Sequence, residues 1–475
     1  MKAAKKVPGY LSRIYKGRLM YKKKLLSLIT ILLISLLSLT FIKGTFAKPV
    51  PSNVVHPEWS YNKTIYEVNV RQYTKEGTLR AFEKHLPELK KLGVGILWIM
   101  PINPIGKVNR KGRLGSYYSV QNYLEVNPEF GTMDDFKELV KKIHSLGMHV
   151  ILDWVADHTS WDNVLTKTHP NFYKKDSTGN FVAPVKDWTD VIALNYKNKN
   201  LWTYMINAMK FWVKDCGIDG FRCDVANMVP TAFWDKARAD LDKIKPVFML
   251  AEAETPKLQT KAFDMTYSWD LYHLTIDIAK GKQNASSLNK YFQKENDNYP
   301  FNDFRMRFTN NHDENSWNGT VFELYGKAAS TFAVFTFAVP GMPLIYSGQE
   351  AGLDKRLKFF DRDPIDWKPS PFRELYTKLV HLKLKNKALW CGDKGGKMML
   401  VSKPNDKSVY SFVREKDGDK VFVVFNLSAN PVDVTLQSEL MKGDYQNLFT
   451  GKKDSFGIKH EFQLKPWEYK FFVKE

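Results

Sequence analysis

An arginine and an aspartate two residues apart form the first pair in this sequence with a clear chemical use. Arg222 and Asp224 lie in the short apolar stretch 220–225, which is typical of a buried strand. Side chains alternate along a strand, so both point to the same side. A guanidinium beside a carboxylate favours its ionised form and fixes its direction, and an ionised, oriented Asp can act as a nucleophile. A structural ion pair that closes a barrel strand is the alternative.

A second carboxylate follows the next predicted strand. The apolar run 247–251 ends in Glu252, and Glu254 lies two residues farther on. Glycoside hydrolysis uses two carboxyl groups on opposite sides of the bond to be broken, one of them kept protonated. Adjacent strands lie about 5 Å apart, which suits the carboxyl separation of a retaining glycosidase. Apolar surroundings are expected to raise the pKa of Glu252, whereas Glu254 is expected in a loop. A solvated strand end is the alternative for either glutamate.

Two clusters that contain histidine also follow predicted strands. One runs from Asp153 to His158, and the other includes His312 and Asp313. A single His at a strand end is usually a satisfied structural group, but two such clusters, both beside Asp, favour a functional site. Metal binding by His158, Asp224 and His312 is a competing interpretation, which no HxH or HExxH spacing supports. We therefore predict no metal ligands here.

Strand-like and helix-like segments alternate between residues 60 and 370. Strands are predicted at 64–70, 94–100, 149–155, 220–225, 247–253, 263–269, 305–309 and 342–346, and helices at 79–92, 133–146, 201–213, 231–244, 285–294, 325–337 and 372–382. This order predicts an α/β protein with a (β/α)8 TIM barrel. The long connections at 101–132 and 159–200 follow strand ends, where barrel active sites are built. The second is predicted to be an inserted loop subdomain after the third strand.

Short alternating strands replace this pattern near the C-terminus. They are predicted at 398–401, 409–413, 420–425, 431–436, 461–464 and 469–473, which indicates an antiparallel β-sandwich. We assign residues 48–388 to a catalytic barrel, including the insertion at 159–200, and residues 389–475 to the sandwich.

The N-terminus has the features of a targeting segment. Residues 1–47 hold ten Lys and Arg and no Asp or Glu, so they supply half of the net charge of +20. An apolar run at 25–42 follows these basic residues and ends near small residues, which predicts a signal peptide and export to the periplasm or the medium. An uncleaved membrane anchor is the alternative. The other basic residues are scattered, which argues against nucleic-acid binding.

Four ordered motifs resemble those of the α-amylase family of glycoside hydrolases (glycoside hydrolase family 13), in its bacterial exported form. They are Asp153-x4-His158, Gly220-Phe-Arg-x-Asp224, Ala251-Glu252 and Asn311-His312-Asp313, and segment 116–132 resembles the family's loop after the second strand. The resemblance covers residues 60–475. It implies retaining hydrolysis of α-1,4-glucosidic bonds in starch or malto-oligosaccharides, through a covalent glycosyl-enzyme intermediate.

The resemblance also implies a role for each matching residue. Asp224 would be the nucleophile, Glu252 the acid and then the base, and Asp313 a third carboxylate that grips sugar hydroxyls. The substrate-binding residues would be Tyr118, His158, Arg222 and His312. Among these, the arginine would hold the nucleophile in line, the histidines would hydrogen-bond the sugar, and Tyr118, with Tyr117 as the alternative, would stack on it. Asp153 would be structural support near the arginine.

Two departures from the family concern calcium. Animal and fungal members place Asn and His, as part of a calcium site, where this sequence has Asp157 and Met228. A thioether does not suit calcium, which prefers oxygen ligands. The resemblance therefore implies no required cofactor, with calcium at another position as the alternative.

The family leaves the reaction outcome open. α-Glucan transglycosylases, α-glucosidases and isomerases of the family use the same catalytic residues, so each is an alternative to hydrolysis of α-1,4 bonds. A non-catalytic, membrane-anchored partner subunit is disfavoured, because such proteins lose the catalytic carboxylates. Here Asp224, Glu252 and Asp313 are all present, and such a set indicates chemistry.

Overall fold

Eight parallel strands close into a barrel in the order of the sequence, as predicted. They are β1 (Ile65–Val68), β2 (Ile96–Ile99), β3 (His149–Val155), β4 (Gly220–Asp224), β5 (Phe248–Ala251), β6 (Met265–Tyr267), β7 (Phe304–Arg307) and β8 (Met342–Tyr346). The computed structural model describes residues 52–300, 302–403 and 405–475. All residues of these strands are buried except the first of β3, because helices cover the outside of a parallel barrel.

Helices of very different length surround the barrel. They are Val70–Tyr73, Leu79–Glu83, Leu86–Leu92, Met133–Ser145, Leu165–Thr168, Lys199–Lys214, Thr231–Leu241, Trp269–Ala279, Ser287–Asn298, Val321–Tyr325, Ala329–Ala338 and Pro371–Lys385. The predicted helix 79–92 is two helices, because Pro87 lies in the first turn of the second and cannot continue the hydrogen bonding of the first. The helix Trp269–Ala279 was not predicted, since its aromatic and β-branched residues have low helix propensity.

The insertion after β3 is anchored by a two-stranded antiparallel ribbon. His158–Ser160 pairs with Val191–Ala193, with His158 opposite Ala193. The long connection after β2 meets the insertion here, since the backbone N–H of Ser160 donates to the carbonyl oxygen of Val120 at 3.0 Å. Both insertions therefore lie together at the carboxyl end of the barrel.

The C-terminal strands form the predicted antiparallel sandwich. They are β9 (Lys397–Leu400), β10 (Val409–Lys416), β11 (Asp419–Asn426), β12 (Val432–Gln437), β13 (Gly443–Asn447), β14 (Lys453–Phe456), β15 (Lys459–Leu464) and β16 (Tyr469–Lys474). One sheet has the order β9-β10-β11-β16-β13-β14, and β12 pairs with β15 in the other. The sequence pattern did not reveal β13 and β14, because each has a single buried side chain, Tyr445 and Phe456 respectively.

The N-terminal segment that was predicted to be a signal peptide, residues 1–47, lies outside the described residues. Among the helices of the described ranges, none combines the length and the hydropathy needed to cross a bilayer.

Candidate active site

One buried guanidinium organises the carboxyl end of the barrel. Nη1 of Arg222 donates to Asp153 at 2.9 Å and to Asp224 at 2.7 Å. Nη2 of the same side chain lies 2.9 Å from a carboxylate oxygen of Glu252. Asp153 is the register partner of Arg222 on β3, and Glu252 follows β5 directly. Adjacent barrel strands thus bring Asp153 and Glu252, which are distant in sequence, to the Arg222–Asp224 pair.

Close backbone approach fixes the start of β4. Gly220 has φ of 152°, and a Cβ there would lie 1.9 Å from the carbonyl oxygen of Phe248 on β5. Only glycine fits this position without moving β4 away from β5. The glycine of the second motif therefore sets the strand spacing that places Asp224 beside Glu252.

A strained turn follows Asp224. Val225 has φ of 34° and ψ of 49°, a left-handed conformation that is rare for a β-branched residue and costs about 1–3 kcal/mol. In this conformation its N–H donates to the Glu252 carboxylate at 2.8 Å, the same oxygen that faces Arg222. The turn therefore aims a backbone donor at Glu252 and holds the two acids together.

The single positive charge of Arg222 does not compensate these acids for their burial. Burial raises the pKa of Glu252 from 4.5 to about 7, with Arg222 opposing the shift and the charge of Asp224 adding to it. Burial also raises the pKa of Asp224 from 3.8 to about 6, again against Arg222 and assisted by Asp153. Near neutral pH the site can therefore hold an ionised Asp224 beside a protonated Glu252.

The predicted residues Tyr118, His312 and Asp313 lie on the other side of Asp153. The Tyr118 hydroxyl donates to Asp153 at 3.1 Å and lies 2.7 Å from Nε2 of His312. The two rings stack with 5.4 Å between their centroids. His312 also lies 3.2 Å from the carboxylate of Asp313. His312 lowers the pKa of Asp313 although burial acts in the opposite direction, so this carboxylate is ionised at neutral pH.

His158 lies near Asp224, next to Asp157. Its Nδ1 is 2.8 Å from the Asp157 carboxylate, and its Nε2 is 3.2 Å from the carbonyl oxygen of Tyr118. Asp157, His158 and Asp224 bring three ligand atoms within 4.8 Å of one another. His158 contributes a nitrogen to this set, so these residues do not fit the oxygen-rich coordination of calcium. Met228, whose thioether does not suit calcium either, is 42% exposed.

Glu254 lies outside this site. Its carboxylate pairs with Arg305 and accepts the N–H of Asp270 at 2.8 Å. Glu254 is therefore paired with a different arginine from Asp224. Glu252, which shares Arg222 with Asp224, is the glutamate that the structure brings to Asp224.

Comparison with known proteins identifies the family. Residues 54–190 and 184–374 match the family model of the α-amylase catalytic domain, and residues 399–471 match the maltogenic amylase C-terminal domain. The chain belongs to the α-amylase family of glycoside hydrolases.

Similar α-amylase family structures cover nearly the whole described chain. A maltogenic α-amylase from Thermotoga neapolitana has a TM-score of 0.80 at 31% identity, over 87% of this chain and 98% of the other. An α-amylase from Lactobacillus plantarum has a TM-score of 0.78 at 32% identity, over 87% and 99%. Alpha-amylase 2 of Dictyoglomus thermophilum is 27% identical over 445 residues, 84% of this chain and 74% of its own. The chain is thus a glycoside hydrolase with this family's barrel and C-terminal sandwich.

Three features of this α-amylase family site were not found from the sequence. Glu67 on β1 contacts His312, and the indole N–H of Trp98 on β2 donates to Asp153 at 3.0 Å. Trp317 is 52% exposed and lies in a π-helical turn, Glu314–Asn318, directly after Asp313. Its ring packs 5.3 Å from that of Phe359. The position of Trp317 four residues after Asp313 was a usable signal, whereas nothing in the sequence set Glu67 apart from other strand residues.

Proposed function

We propose that the protein is a retaining hydrolase of α-1,4-glucosidic bonds in starch or malto-oligosaccharides. The observation that carries this proposal is the shared contact of Asp224 and Glu252 with Arg222, which leaves Glu252 with the higher pKa of the two. A retaining glycosidase needs this arrangement: an ionised nucleophile and a protonated acid at the same bond. The names of its relatives, which include α-amylases and maltogenic α-amylases, support the substrate class.

The chemistry follows from the two protonation states. An oxygen of Asp224 attacks the anomeric carbon as Glu252 gives its proton to the departing glycosidic oxygen, so the C–O bond to the leaving sugar breaks and a glycosyl ester forms. Glu252, now ionised, takes a proton from water. The water oxygen attacks the same carbon, the ester bond breaks, and the sugar leaves with its original α configuration.

The neighbouring residues bind and orient the sugar in this proposal. Asp313, with its side chain 37% exposed, accepts hydrogen bonds from sugar hydroxyls. His158 and His312 hydrogen-bond the same ring through their Nε2 atoms, which without sugar face the carbonyl oxygen and the hydroxyl of Tyr118 respectively. Tyr118 stacks on the sugar ring with the small part of its surface that is accessible, 8% of the residue. Arg222 holds Asp224 in line for attack.

Trp317 extends the substrate contact beyond the cleaved bond. An exposed indole in the turn directly after Asp313 suits stacking on a sugar ring, at about 0.5–1.5 kcal/mol for an aromatic contact. Trp317→Ala should therefore raise KM for maltotriose several-fold with a smaller effect on kcat. Trp367→Ala removes a partly exposed indole that binds the Tyr73 carbonyl instead, and it is the matched control. Equal effects of the two variants would argue against this role.

Transfer to a second sugar is the alternative outcome. One relative, an α-1,4-glucan:maltose-1-phosphate maltosyltransferase of Picrophilus torridus, is 26% identical over 412 residues. Digestion of maltoheptaose separates the two outcomes, because hydrolysis gives glucose and maltose whereas transfer gives longer chains. Parallel digests of starch, pullulan, maltotriose and isomaltose identify the bond type and distinguish endo from exo action. If none of the α-1,4-linked substrates were cleaved, the proposal would be contradicted.

We also propose that no metal is required and that the protein is exported. A transition metal at Asp157, His158 and Asp224 would occupy the nucleophile. Dialysis against EDTA should therefore leave kcat/KM unchanged, and added Zn²⁺ should inhibit. N-terminal sequencing of the mature protein from the producing cells tests export: a start near residue 48 supports cleavage, and an intact N-terminus in the membrane fraction supports the anchor.

A further inference from the structure

Glu67 is a buried carboxylate that the proposed reaction leaves without a role. It lies on β1, is fully buried, and its Oε1 contacts both the Nδ1 of His312 and, at 3.4 Å, the backbone N–H of the same residue. Its other oxygen has no hydrogen-bond partner among the described residues. A buried carboxylate that contacts one imidazole influences the protonation state and the orientation of that ring.

Counting protons around His312 fixes its charge. The Tyr118 hydroxyl has one proton, and it donates this proton to Asp153 at 3.1 Å. The hydroxyl oxygen must then accept from Nε2–H of His312, which lies 2.7 Å away. On the other side of the ring, Nδ1 lies against Oε1 of Glu67, which also accepts the backbone N–H of His312; an ionised Glu67 has no proton to donate, so Nδ1 is the donor of that contact. Both ring nitrogens carry protons, which makes the side chain an imidazolium.

We propose that Glu67 is a positioning residue that holds His312 as an imidazolium and points its Nε2–H at Tyr118 and Asp313. This inference rests on the proposed function, in which His312 and Asp313 bind the sugar. The imidazolium then supplies the positive charge that keeps Asp313 ionised. It also fixes the ring, because both of its N–H groups have partners.

The charges around His312 agree with this assignment. Burial lowers its pKa, but Asp313 and Glu67 together raise it well above 6.5. Asp153 on β3 also favours the protonated form of His312, since the Tyr118 hydroxyl links the two side chains. The positive charge of Arg222 on β4 disfavours that form. The remaining neighbours are uncharged: Trp98 meets the ring edge-on at 5.8 Å, and Phe359 lies at 6.4 Å. The only described acid that faces Nδ1 is Glu67.

The test compares Glu67→Gln with Glu350→Gln in the full chain. Glu350 is also buried next to β1, but it accepts from the Tyr66 hydroxyl at 2.6 Å and from the Gly348 N–H at 3.1 Å, and it lies 3.9 Å from Arg373 instead of against a histidine. ¹⁵N NMR of the histidine side chains, with His312→Asn to assign the signal, should show two protonated ring nitrogens in the wild type at pH 7. In Glu67→Gln, His312 should lose a proton at a pH lower by about one unit or more. In Glu350→Gln it should not.

Kinetics give the second readout. Relative to wild type, kcat/KM of Glu67→Gln on maltotriose should fall increasingly as the pH rises, because the uncharged fraction of His312 grows at a lower pH in the variant. A bare ring nitrogen on His312 in the wild type at pH 7 overturns the proposal, as does a Glu67→Gln variant with unchanged His312 protonation. The wild-type spectrum decides alone if the variant does not fold. Since the spectrum requires no turnover, it remains decisive even if the digests contradict the proposed reaction.

Discussion

Two buried clusters of arginine and acid in this barrel differ in their balance of charge. At the carboxyl end, Arg222 faces Asp153, Asp224 and Glu252. Beside β7, Glu295 faces two guanidinium groups instead, those of Arg305 and Arg307. The side chains of Glu252 and Glu295 are about equally exposed, at 14% and 11%.

Their pKa values move in opposite directions. Burial raises the pKa of Glu252 to about 7, because one shared arginine does not compensate for the loss of water and for neighbouring acids. Burial acts on Glu295 in the same direction, but Arg307 and Arg305 overcome it and lower its pKa from 4.5 to about 2. The number of cations per acid, rather than burial, therefore separates an acid suited to proton transfer from one that supports the fold.

The largest expected difference between the clusters is in turnover. Asp224→Asn should lower kcat by about 10⁴-fold or more, because it removes the nucleophile. Glu252→Gln should lower it by about 10²–10⁴-fold, because it removes the proton donor. Glu295→Gln should retain activity in its folded fraction. Initial rates on maltotriose measure all three variants. If Glu252→Gln were active and Glu254→Gln inactive, the assignment of the acid to Glu252 would be wrong.

Stability should show the reverse ranking. Glu295→Gln leaves the buried guanidinium of Arg307 without its acid and that of Arg305 with Glu254 alone, which costs about 3–5 kcal/mol of unfolding free energy at pH 7. Because the folded-state pKa is depressed, this stabilisation is present above pH 4.5 and is lost as the pH falls toward about 2. Urea unfolding at pH 7 and 3.5 measures it. The control is Asp297→Asn on the same helix, since Asp297 accepts from the exposed side chain of Gln293. Equal losses in both variants would contradict the comparison.

The pH dependence of turnover reports the two acids at the carboxyl end. kcat/KM should fall below about pH 6 as Asp224 becomes protonated, and above about pH 7 as Glu252 loses its proton. Each limb should approach a tenfold change per pH unit. A profile that stays flat to pH 9 would show that Glu252 is not the proton donor or that its pKa is not set by this cluster.

The smallest expected effect is a gain in stability. The raised pKa of Glu252 means that its protonated form stabilises the fold below pH 4.5, and this contribution is lost as the pH rises through about 7. Glu252→Gln remains neutral, so at pH 8 it should be more stable than wild type by about 1–2 kcal/mol, with no difference at pH 4. Thermal unfolding at both pH values tests this. A variant less stable than wild type at pH 8 would contradict the claim that Arg222 does not compensate Glu252 for its burial.

The sequence was sufficient for the architecture and for the residues at the strand ends. Eight apolar runs predicted the barrel, and the two-residue spacing of Arg222 and Asp224 predicted their contact, because strand periodicity and motif order are local properties. The same pattern missed β13 and β14, where one buried side chain per strand leaves no apolar alternation. It also missed the helix Trp269–Ala279, which packing stabilises against its propensity.

The sequence did not predict what depends on contacts between distant strands. Glu67 reads as one polar residue within an apolar strand until the closed barrel places it against His312. The left-handed turn at Val225 runs against the preference of its residue type, so no local rule predicts it. Arg222 was expected to keep Asp224 ionised, and that expectation did not take account of how many acids share the one guanidinium.

Direct titration of the two glutamates is the measurement that tests the comparison most closely. In protein labelled with ¹³C at the glutamate side-chain carboxyl, Glu252→Gln and Glu295→Gln assign the two NMR signals. The account predicts that Glu252 titrates with a midpoint of about 7, while Glu295 stays ionised until the pH approaches about 2 or the protein unfolds. A Glu252 signal that titrates near 4.5, together with Glu295, would contradict it.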